Sequence, residues 1–436
     1  MTLLLQRLRL WWSQALWVLP LGGILVAYGV SETLARYDEQ LRSLWANELS
    51  PSAAQAFLAA VGGGMVTFTG FVFSVVLLML EFGSSTYSPR ATSYFLRNRT
   101  TQWVLAIFLG TITLSFTELI KVGSGGRADY VPVLNIVLTL FALFASLVGF
   151  LALLQSVGGH LQVDSLLSTF GSMSRTALNR QRLSVRPSET LREEVDDTST
   201  SPPGASSEDH GGPRPLGADV VRYAGRPGQL VGVASGSLER IAHHSSAEIR
   251  LLVRVGDGVS EGAPIAVVTG TRPGDRELSR CLLVHPERSL THDPLYALRL
   301  LVDIALRALS PAVNDPTTAV RAIDEVEDVL RTAARLPLEP VRRSSGAGSV
   351  VLPAATWSDV VDLALLEIVE AGLRAPQVTR RLSALFADLV ADLPARTHGP
   401  LLRYQRRLTD EVVRSLPQQD HAIWLTGDRQ GIGGSR

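Results

Sequence analysis

Four long apolar stretches dominate the first third of the chain, and polar residues separate them. They cover approximately residues 10–30, 56–80, 103–120 and 131–154. A helix needs about 20 apolar residues to cross the roughly 30 Å hydrocarbon core of a bilayer, because its backbone polar groups must pair internally. The pattern therefore predicts four transmembrane helices. The third is the marginal one, because Glu118 lies near its end.

Basic residues indicate which side of the predicted helices faces the cytosol. Arg7 and Arg9 precede the first stretch, and three arginines follow the second: Arg90, Arg97 and Arg99. Positive residues are retained on the cytoplasmic side, so we expect both termini inside. The first stretch could instead be a cleaved signal peptide. Its length, its tryptophans and the lack of a small-residue cleavage site favour a retained helix.

The second stretch carries small residues along one side, with an acidic residue in phase at its end. These residues are Ala56, Ala59, Gly63, Thr67, Gly70, Ser74 and Glu81. One interpretation is a face that lines a pore in an oligomer, with Glu81 at the inner mouth. The other is tight helix packing inside one bundle. No charge lies in the middle of any predicted span, which argues against a proton-coupled transporter.

Beyond the fourth stretch, the pattern becomes that of a soluble α+β region. The fold class expected is a transmembrane α-helical domain followed by a cytosolic region with a small β-barrel or sandwich module and helices. Residues 186–219 are rich in Ser, Thr, Pro, Gly and acids, which is typical of a disordered linker. The predicted segments are a four-helix transmembrane domain (1–160), an amphipathic connecting helix (161–185), the linker (186–219), the β module (220–275), a helical cytosolic domain (276–420) and a flexible tail (421–436).

Two Asp-Pro pairs predict a helix hairpin in the cytosolic region. In Asp293-Pro294 and again in Asp315-Pro316, the aspartate can cap free backbone amides while proline occupies the first turn, where no donor is needed. The predicted helices cover residues 295–309 and 317–334.

The turn of this hairpin contains a recognisable motif, Ala308-Leu309-Ser310-Pro311-Ala312-Val313-Asn314-Asp315-Pro316-Thr317-Thr318-Ala319. A second motif, Tyr87-Ser88-Pro89-Arg90, follows the second apolar stretch. With both motifs, most of the chain resembles the bacterial predicted membrane proteins grouped as domain of unknown function 2254. The resemblance implies a four-helix membrane protein with a cytoplasmic domain, and it implies no particular activity.

The hairpin turn has two interpretations. It could bind a small ligand through exposed hydroxyls, Asn314 and helix amides. It could also be purely structural, because Asp315 already occupies the helix start that would favour an anion. The candidate residues of this turn are Ser310, Pro311, Asn314, Asp315, Thr317 and Thr318.

Composition excludes several chemistries. Across 436 residues, 41 basic residues balance 41 acidic ones, so the chain lacks the basic excess expected of a nucleic-acid partner. Lys121 is the only lysine and falls in a predicted membrane loop, which leaves no lysine for a Walker-type loop or a Schiff base in the soluble part. The single cysteine, Cys281, cannot form an intramolecular disulfide and fits the cytosol.

The sequence contains no recognisable catalytic set. It has no HExxH, GxSxG or CxxC motif and no GxGxxG after a clear strand. His243-His244 is expected in a surface loop without a metal, and Arg380 and Arg381 are expected to be solvated. We therefore expect neither an enzyme nor a cofactor.

Two functional classes stay open. The first is an oligomeric ion channel or permeation pathway regulated by the cytosolic domain. The second is a membrane-anchored sensor or scaffold whose cytosolic domain binds a partner or a small ligand. The expected partners are the lipid bilayer, further copies of the chain and a small ion or small molecule.

Overall fold

A computed structural model describes residues 17–45, 50–86, 99–122, 131–160, 163–184, 219–290 and 293–431. The chain divides into two compact units, one ending at Leu166 and one beginning at Leu167. Several predicted features lie outside the described residues: Arg7, Arg9, the Tyr87–Arg90 motif, Arg97 and residues 186–218 of the linker.

Four helices make up the described part of the first unit. They are α1 (Val18–Trp45), α2 (Pro51–Thr86), α3 (Arg99–Lys121) and α4 (Val133–His160). Within the described residues, three stretches are long and apolar enough to cross a membrane, and α1 contributes a shorter apolar stretch. The three are Pro51–Leu78, Arg99–Lys121 and Val133–Ser156, and the shorter one is Val18–Leu34.

The described helices extend the sequence prediction and correct it in one place. The second, third and fourth predicted spans are confirmed as apolar helices, each longer than predicted. Lys121 was expected in a loop, but it is the last residue of α3. A cation at a helix C-terminus interacts favourably with the helix dipole, which stabilises the extra turn.

Small residues bring α1 and α3 close together. A Cβ added at Gly23 would overlap the carbonyl oxygen of Ala106 and lie 2.9 Å from its carbonyl carbon. One turn further along α3, a Cβ at Gly110 would lie 3.4 Å from the Gly23 oxygen. Small residues at such crossings let two backbones approach directly, so this contact fixes the relative position of α1 and α3.

Large side chains fill the space between α2, α3 and α4. Phe68 packs against Phe108, with ring centroids 5.5 Å apart, and edge-on against Phe150, at 4.9 Å. Val61, Met65 and other residues of the same face of α2 are buried with them. The apolar side of α2 therefore faces the bundle through its bulky residues.

The second unit contains two sheets. Its strands are β1 (Asp219–Arg222), β2 (Gly228–Val233), β3 (Glu248–Leu251), β4 (Gly258–Val259), β5 (Pro264–Thr269), β6 (Leu282–His285), β7 (Val341–Ser345) and β8 (Gly348–Leu352). One sheet has the order β1-β5-β3-β8-β7, and the other has the order β4-β2-β6. Among the strand pairs of the described residues, only β3–β8 is parallel.

The β7–β8 hairpin changes the predicted domain boundaries. It lies inside the segment expected to be a helical domain, yet β8 joins the sheet formed by strands of the expected β module. Val350 of β8 is buried in the same cluster as Ile249 and Ile265. Within the described residues, Leu282 of β6 and Val350 of β8, both from segment 276–420, therefore belong to the hydrophobic core of the expected β module.

Helices complete the second unit: α5 (Val163–Ser184), α6 (Ser235–Ser245), α7 (Asp275–Ser279), α8 (Pro294–Ala308), α9 (Pro316–Ala333), α10 (Trp357–Gly372), α11 (Pro376–Asp392), α12 (His398–Ser415) and α13 (Gln418–Leu425). The predicted hairpin is confirmed as α8 and α9, each within one residue of its expected ends. The later part of the expected helical domain contains α10 to α12.

Three expectations for the second unit differ from the structure. His243 and His244 lie in the last turn of α6 rather than in a loop. Arg381 is buried instead of solvated, because its guanidinium pairs with Asp324 at 2.8 Å and Glu327 at 2.6 Å on α9. The expected flexible tail begins with part of α13, and Arg429 beyond it pairs with Asp388 of α11.

Candidate functional site

The small-residue stripe of α2 lies on a face that the rest of the described first unit leaves exposed. Gly63, Thr67, Gly70, Ser74 and Glu81 are all exposed. Glu81 lies eighteen residues beyond Gly63, about five helical turns, which places both on the same line along the helix. The structure therefore brings these five residues onto one face, and that face does not pack inside the described bundle.

The glycines of this face have no structural requirement within the unit. A Cβ added at Gly63 or Gly70 would meet no atom within 4 Å. The two hydroxyls are bonded along the helix: Thr67 donates to the Gly63 oxygen at 3.2 Å and Ser74 to the Gly70 oxygen at 3.0 Å. The hydroxyls of this face are thus satisfied locally, and two exposed leucines, Leu77 and Leu78, lie between Ser74 and Glu81.

The second candidate set forms the turn between α8 and α9. At the start of the turn, the Ser310 hydroxyl donates to the Arg307 carbonyl oxygen at 2.7 Å. Pro311, Asn314 and Thr317 are exposed. Asn314 has a φ of +48°, in the left-handed region that asparagine tolerates better than most residues.

The Asp315 carboxylate already accepts the hydrogen bonds that a ligand at this turn would need. Its carboxylate accepts from the Thr318 amide at 3.1 Å and from the Thr318 hydroxyl at 2.6 Å. The negative Asp315 side chain already satisfies the start of α9, so a second anion would find little stabilisation there. The geometry favours the structural interpretation of the turn.

A buried polar cluster in the first unit was missed by sequence reasoning. Glu118 and Ser31 are fully buried, and the Ser31 hydroxyl donates to the Glu118 carboxylate. Lys121 lies 2.8 Å from the Ser31 hydroxyl and 3.3 Å from Glu118 Oε1. Lys121 also pairs with Glu32 at 2.8 Å, and the Asn135 amide donates to the Ser31 carbonyl oxygen at 3.2 Å.

The cluster joins three helices through Ser31. Residues 31 and 32 belong to α1, Glu118 and Lys121 to α3, and Asn135 to α4. One sequence feature could have indicated this cluster: Glu118 and Lys121 are three residues apart, which places both on one face of a helix. The contribution of Ser31 and Asn135 comes from tertiary packing alone.

Other titratable groups of the second unit do not form a comparable site. Among the described residues, no three His, Cys, Asp or Glu side chains gather in a way that could hold a metal ion. Burial, followed by the negative charge of Glu277, raises the pKa of the Cys281 thiol to about 11, although Arg240 opposes this shift. The thiol is therefore protonated and unreactive near neutral pH.

Comparison with known proteins places the chain in a family. Residues 13–388 match the family described as predicted membrane protein (DUF2254). The chain belongs to the DUF2254 family. This confirms the resemblance drawn from the two motifs and identifies the chain as a membrane protein.

This DUF2254 protein is also similar to two mycobacterial proteins. They are the uncharacterized protein Rv1290c of Mycobacterium tuberculosis (strain H37Rv) and the uncharacterized protein Mb1321c of Mycobacterium bovis. Each is 30% identical over 391 residues, which cover 86% of this chain and 71% of the relative. No solved structure matches the DUF2254 protein.

The family match covers all three candidate sites of the DUF2254 protein. The face of α2, the polar cluster around Ser31 and the α8–α9 turn all lie within residues 13–388, whereas α12 and α13 lie beyond them. Any function common to the family must therefore be sought in the membrane helices and in the second unit before α12.

Proposed function

We propose that this DUF2254 protein is a homo-oligomeric ion channel or permeation pathway of the bacterial inner membrane, regulated by a cytosolic second unit. It has no enzymatic activity and no cofactor. The observation that carries the proposal is the exposed face of α2, on which small residues, two hydroxyls and Glu81 lie in line without a partner helix in the described unit.

Helix energetics support a second copy of the chain against this face. A glycine in a helix interior costs about 1 kcal/mol relative to alanine. Gly62 has a local reason, because its Cβ would lie 3.3 Å from the Ser115 Cβ. Gly63 and Gly70, which lie on the face, have no such contact among the described residues, so a neighbouring subunit would explain why glycine is found there.

The chemistry of the face suits a cation path better than an anion path. Thr67 and Ser74 donate to the helix backbone, which leaves their oxygens free to accept or to coordinate. Glu81 is exposed near the end of α2, where copies related by symmetry would form an acidic ring. Such a ring would concentrate cations at the mouth of the path.

Ion flux through reconstituted protein tests this proposal. Wild-type protein in liposomes should conduct small cations, Gly70→Leu should block the path, and Glu81→Ala should lower cation flux and selectivity. Gly29→Leu on α1 is the matched control, because Gly29 is also exposed with no atom within 4 Å of an added Cβ. Absence of flux, or flux that Gly70→Leu and Glu81→Ala leave unchanged, would eliminate the channel.

A second candidate is supported by the composition of residues 186–219. This Ser-, Thr-, Pro- and Gly-rich segment would tether the second unit loosely, and a flexible tether transmits gating force poorly. In this alternative the membrane helices anchor a sensor or scaffold whose second unit binds a partner or a small ligand. Full biological activity of a chain lacking residues 220–436 would refute it.

A further inference from the structure

The polar cluster around Ser31 contains two buried oxygen atoms without partners. Glu118 and Asn135 both have side chains that are 0% exposed. Among the described residues, neither Glu118 Oε2 nor Asn135 Oδ1 has a hydrogen-bond partner. An unsatisfied buried acceptor is costly, more so for a charged carboxylate in an apolar bundle.

Both oxygens belong to side chains that converge on the same residue. The other carboxylate oxygen of Glu118 accepts from the Ser31 hydroxyl, and the amide nitrogen of Asn135 donates to the Ser31 carbonyl. Contacts from two helices thus fix both groups next to one residue of α1. Their two free oxygens are hard ligands, whereas the Ser31 carbonyl already accepts from Asn135.

The charge of the described groups is unbalanced. Glu118 and Glu32 contribute two negative charges, and Lys121 contributes one positive charge that both carboxylates share at 3.3 and 2.8 Å. These three groups leave one net negative charge at the end of the bundle. A single positive charge would neutralise it.

A monovalent metal ion fits these requirements. Alkali-metal cations take carboxylate, amide and carbonyl oxygens as ligands, as hard cations do in general. A divalent ion fits less well, because it would exceed the charge deficit and Glu32 is already paired with Lys121. The rim is open enough for entry, since the Lys121 and Glu32 side chains are 21% and 48% exposed.

We propose that Glu118 of α3 and Asn135 of α4 form a binding site for one alkali-metal cation next to Ser31 of α1. The ion coordinates Glu118 Oε2 and Asn135 Oδ1, with water completing its shell, and it holds α3 and α4 together at this end of the bundle. The site does not depend on the pore proposed for α2, because it lies on other helices and needs only one copy of the chain.

Thermal unfolding of the purified full chain in detergent micelles tests the site. Unfolding midpoints are measured in NaCl, KCl and LiCl, with choline chloride keeping the ionic strength constant. A bound ion should raise the midpoint in a saturable way with at least one alkali cation, because a ligand that binds only the folded state stabilises it. Comparison of the three salts identifies the ion. No ion flux is measured, so failure here is distinct from failure of the channel.

Three variants and a control assign the effect to the site. Glu118→Gln should abolish the cation dependence, and Asn135→Leu should weaken it. Glu118→Asp keeps the charge but withdraws the carboxylate by one methylene and should raise the half-saturating concentration, which keeps the test decisive if Glu118→Gln folds poorly. Glu261→Gln, the same chemical change at an exposed residue of the second unit, should behave like wild type.

Two results would overturn the site. One is an identical midpoint in alkali and choline chloride, which means that water fills the space between the oxygens. The other is a cation effect that survives both Glu118→Gln and Asn135→Leu, which assigns ion binding elsewhere in the protein.

Discussion

At the scale of single residues, two aspartates that begin helices in the same hairpin have different surroundings. Asp293 starts α8, is 1% exposed and pairs with Arg288 at 2.6 Å. Asp315 starts α9 and is only half-buried. Both accept backbone amides, and the loss of such a cap typically costs about 1 kcal/mol. The buried pair makes Asp293 the more consequential of the two.

The pH dependence of stability should reveal the burial of Asp293. Burial raises the pKa of Asp293, and the opposing effects of Arg288 and of the Leu295 and Tyr296 amides are smaller. A raised folded-state pKa means that the folded chain holds the proton more tightly than the unfolded chain. This contribution to stability is complete below the unfolded pKa, near 3.8, and is lost as pH rises through the folded pKa.

Asp293→Asn is the variant that isolates this effect, because asparagine still caps a helix but does not titrate. Urea unfolding of the full chain in detergent, repeated between acidic and neutral pH, gives the difference in unfolding free energy between wild type and variant. We expect this difference to move in favour of the variant as pH rises. Asp315→Asn provides the matched cap control, and a wild-type-to-Asp293→Asn difference that stays constant with pH would contradict the prediction.

At the scale of helices, the first unit uses small residues in two different ways. On α1 and α3, Gly23 and Ala106 bring two backbones of one chain together, while Gly63 and Gly70 of α2 face outward. Periodicity in the sequence placed the α2 stripe on one face but could not show which neighbour that face meets. The described bundle is thus held together by the small residues of α1 and α3, and the small-residue stripe of α2 does not contribute to it.

Neighbouring glycines of α1 offer a sharp test of this packing. Gly23→Ala places a methyl group against the backbone of Ala106, which cannot move aside as a side chain can. Overpacking of this kind costs typically about 1–3 kcal/mol, so the unfolding midpoint should fall. Gly22→Ala is the control, because its Cβ would meet no atom within 4 Å and alanine is the better helix former. Equal midpoints for the two variants would refute the close contact between α1 and α3.

Helix prediction succeeded where local signals were strong, and it failed where distant contacts decided the structure. The Asp-Pro caps fixed α8 and α9 within one residue. By contrast, the β7–β8 hairpin becomes part of the sheet only by pairing with β3, about a hundred residues earlier in the chain. Arg381 likewise looks like a solvated residue until α11 packs against Asp324 and Glu327 of α9. Local sequence contains neither of these partners.

At the scale of the whole molecule, the proposed channel requires a definite topology. Both termini and the second unit should face the cytosol, so the connection between α1 and α2 should face outward. The buried native thiol helps to test this, because a pKa of about 11 and 3% exposure leave Cys281 nearly unreactive at neutral pH. The unmodified chain should therefore give little labelling of its own in a cysteine-labelling experiment.

Two single cysteines report the two sides of the membrane. Ser50 lies exposed just before α2, and Thr409 lies exposed on α12. In intact cells or spheroplasts, a membrane-impermeant maleimide should label Ser50→Cys, and it should label Thr409→Cys only after the membrane is permeabilised. The unmodified chain is the control for Cys281. Labelling of Thr409→Cys from outside would reverse the orientation and would place the Glu81 ring at the outer mouth, where a cytosolic unit could not regulate it.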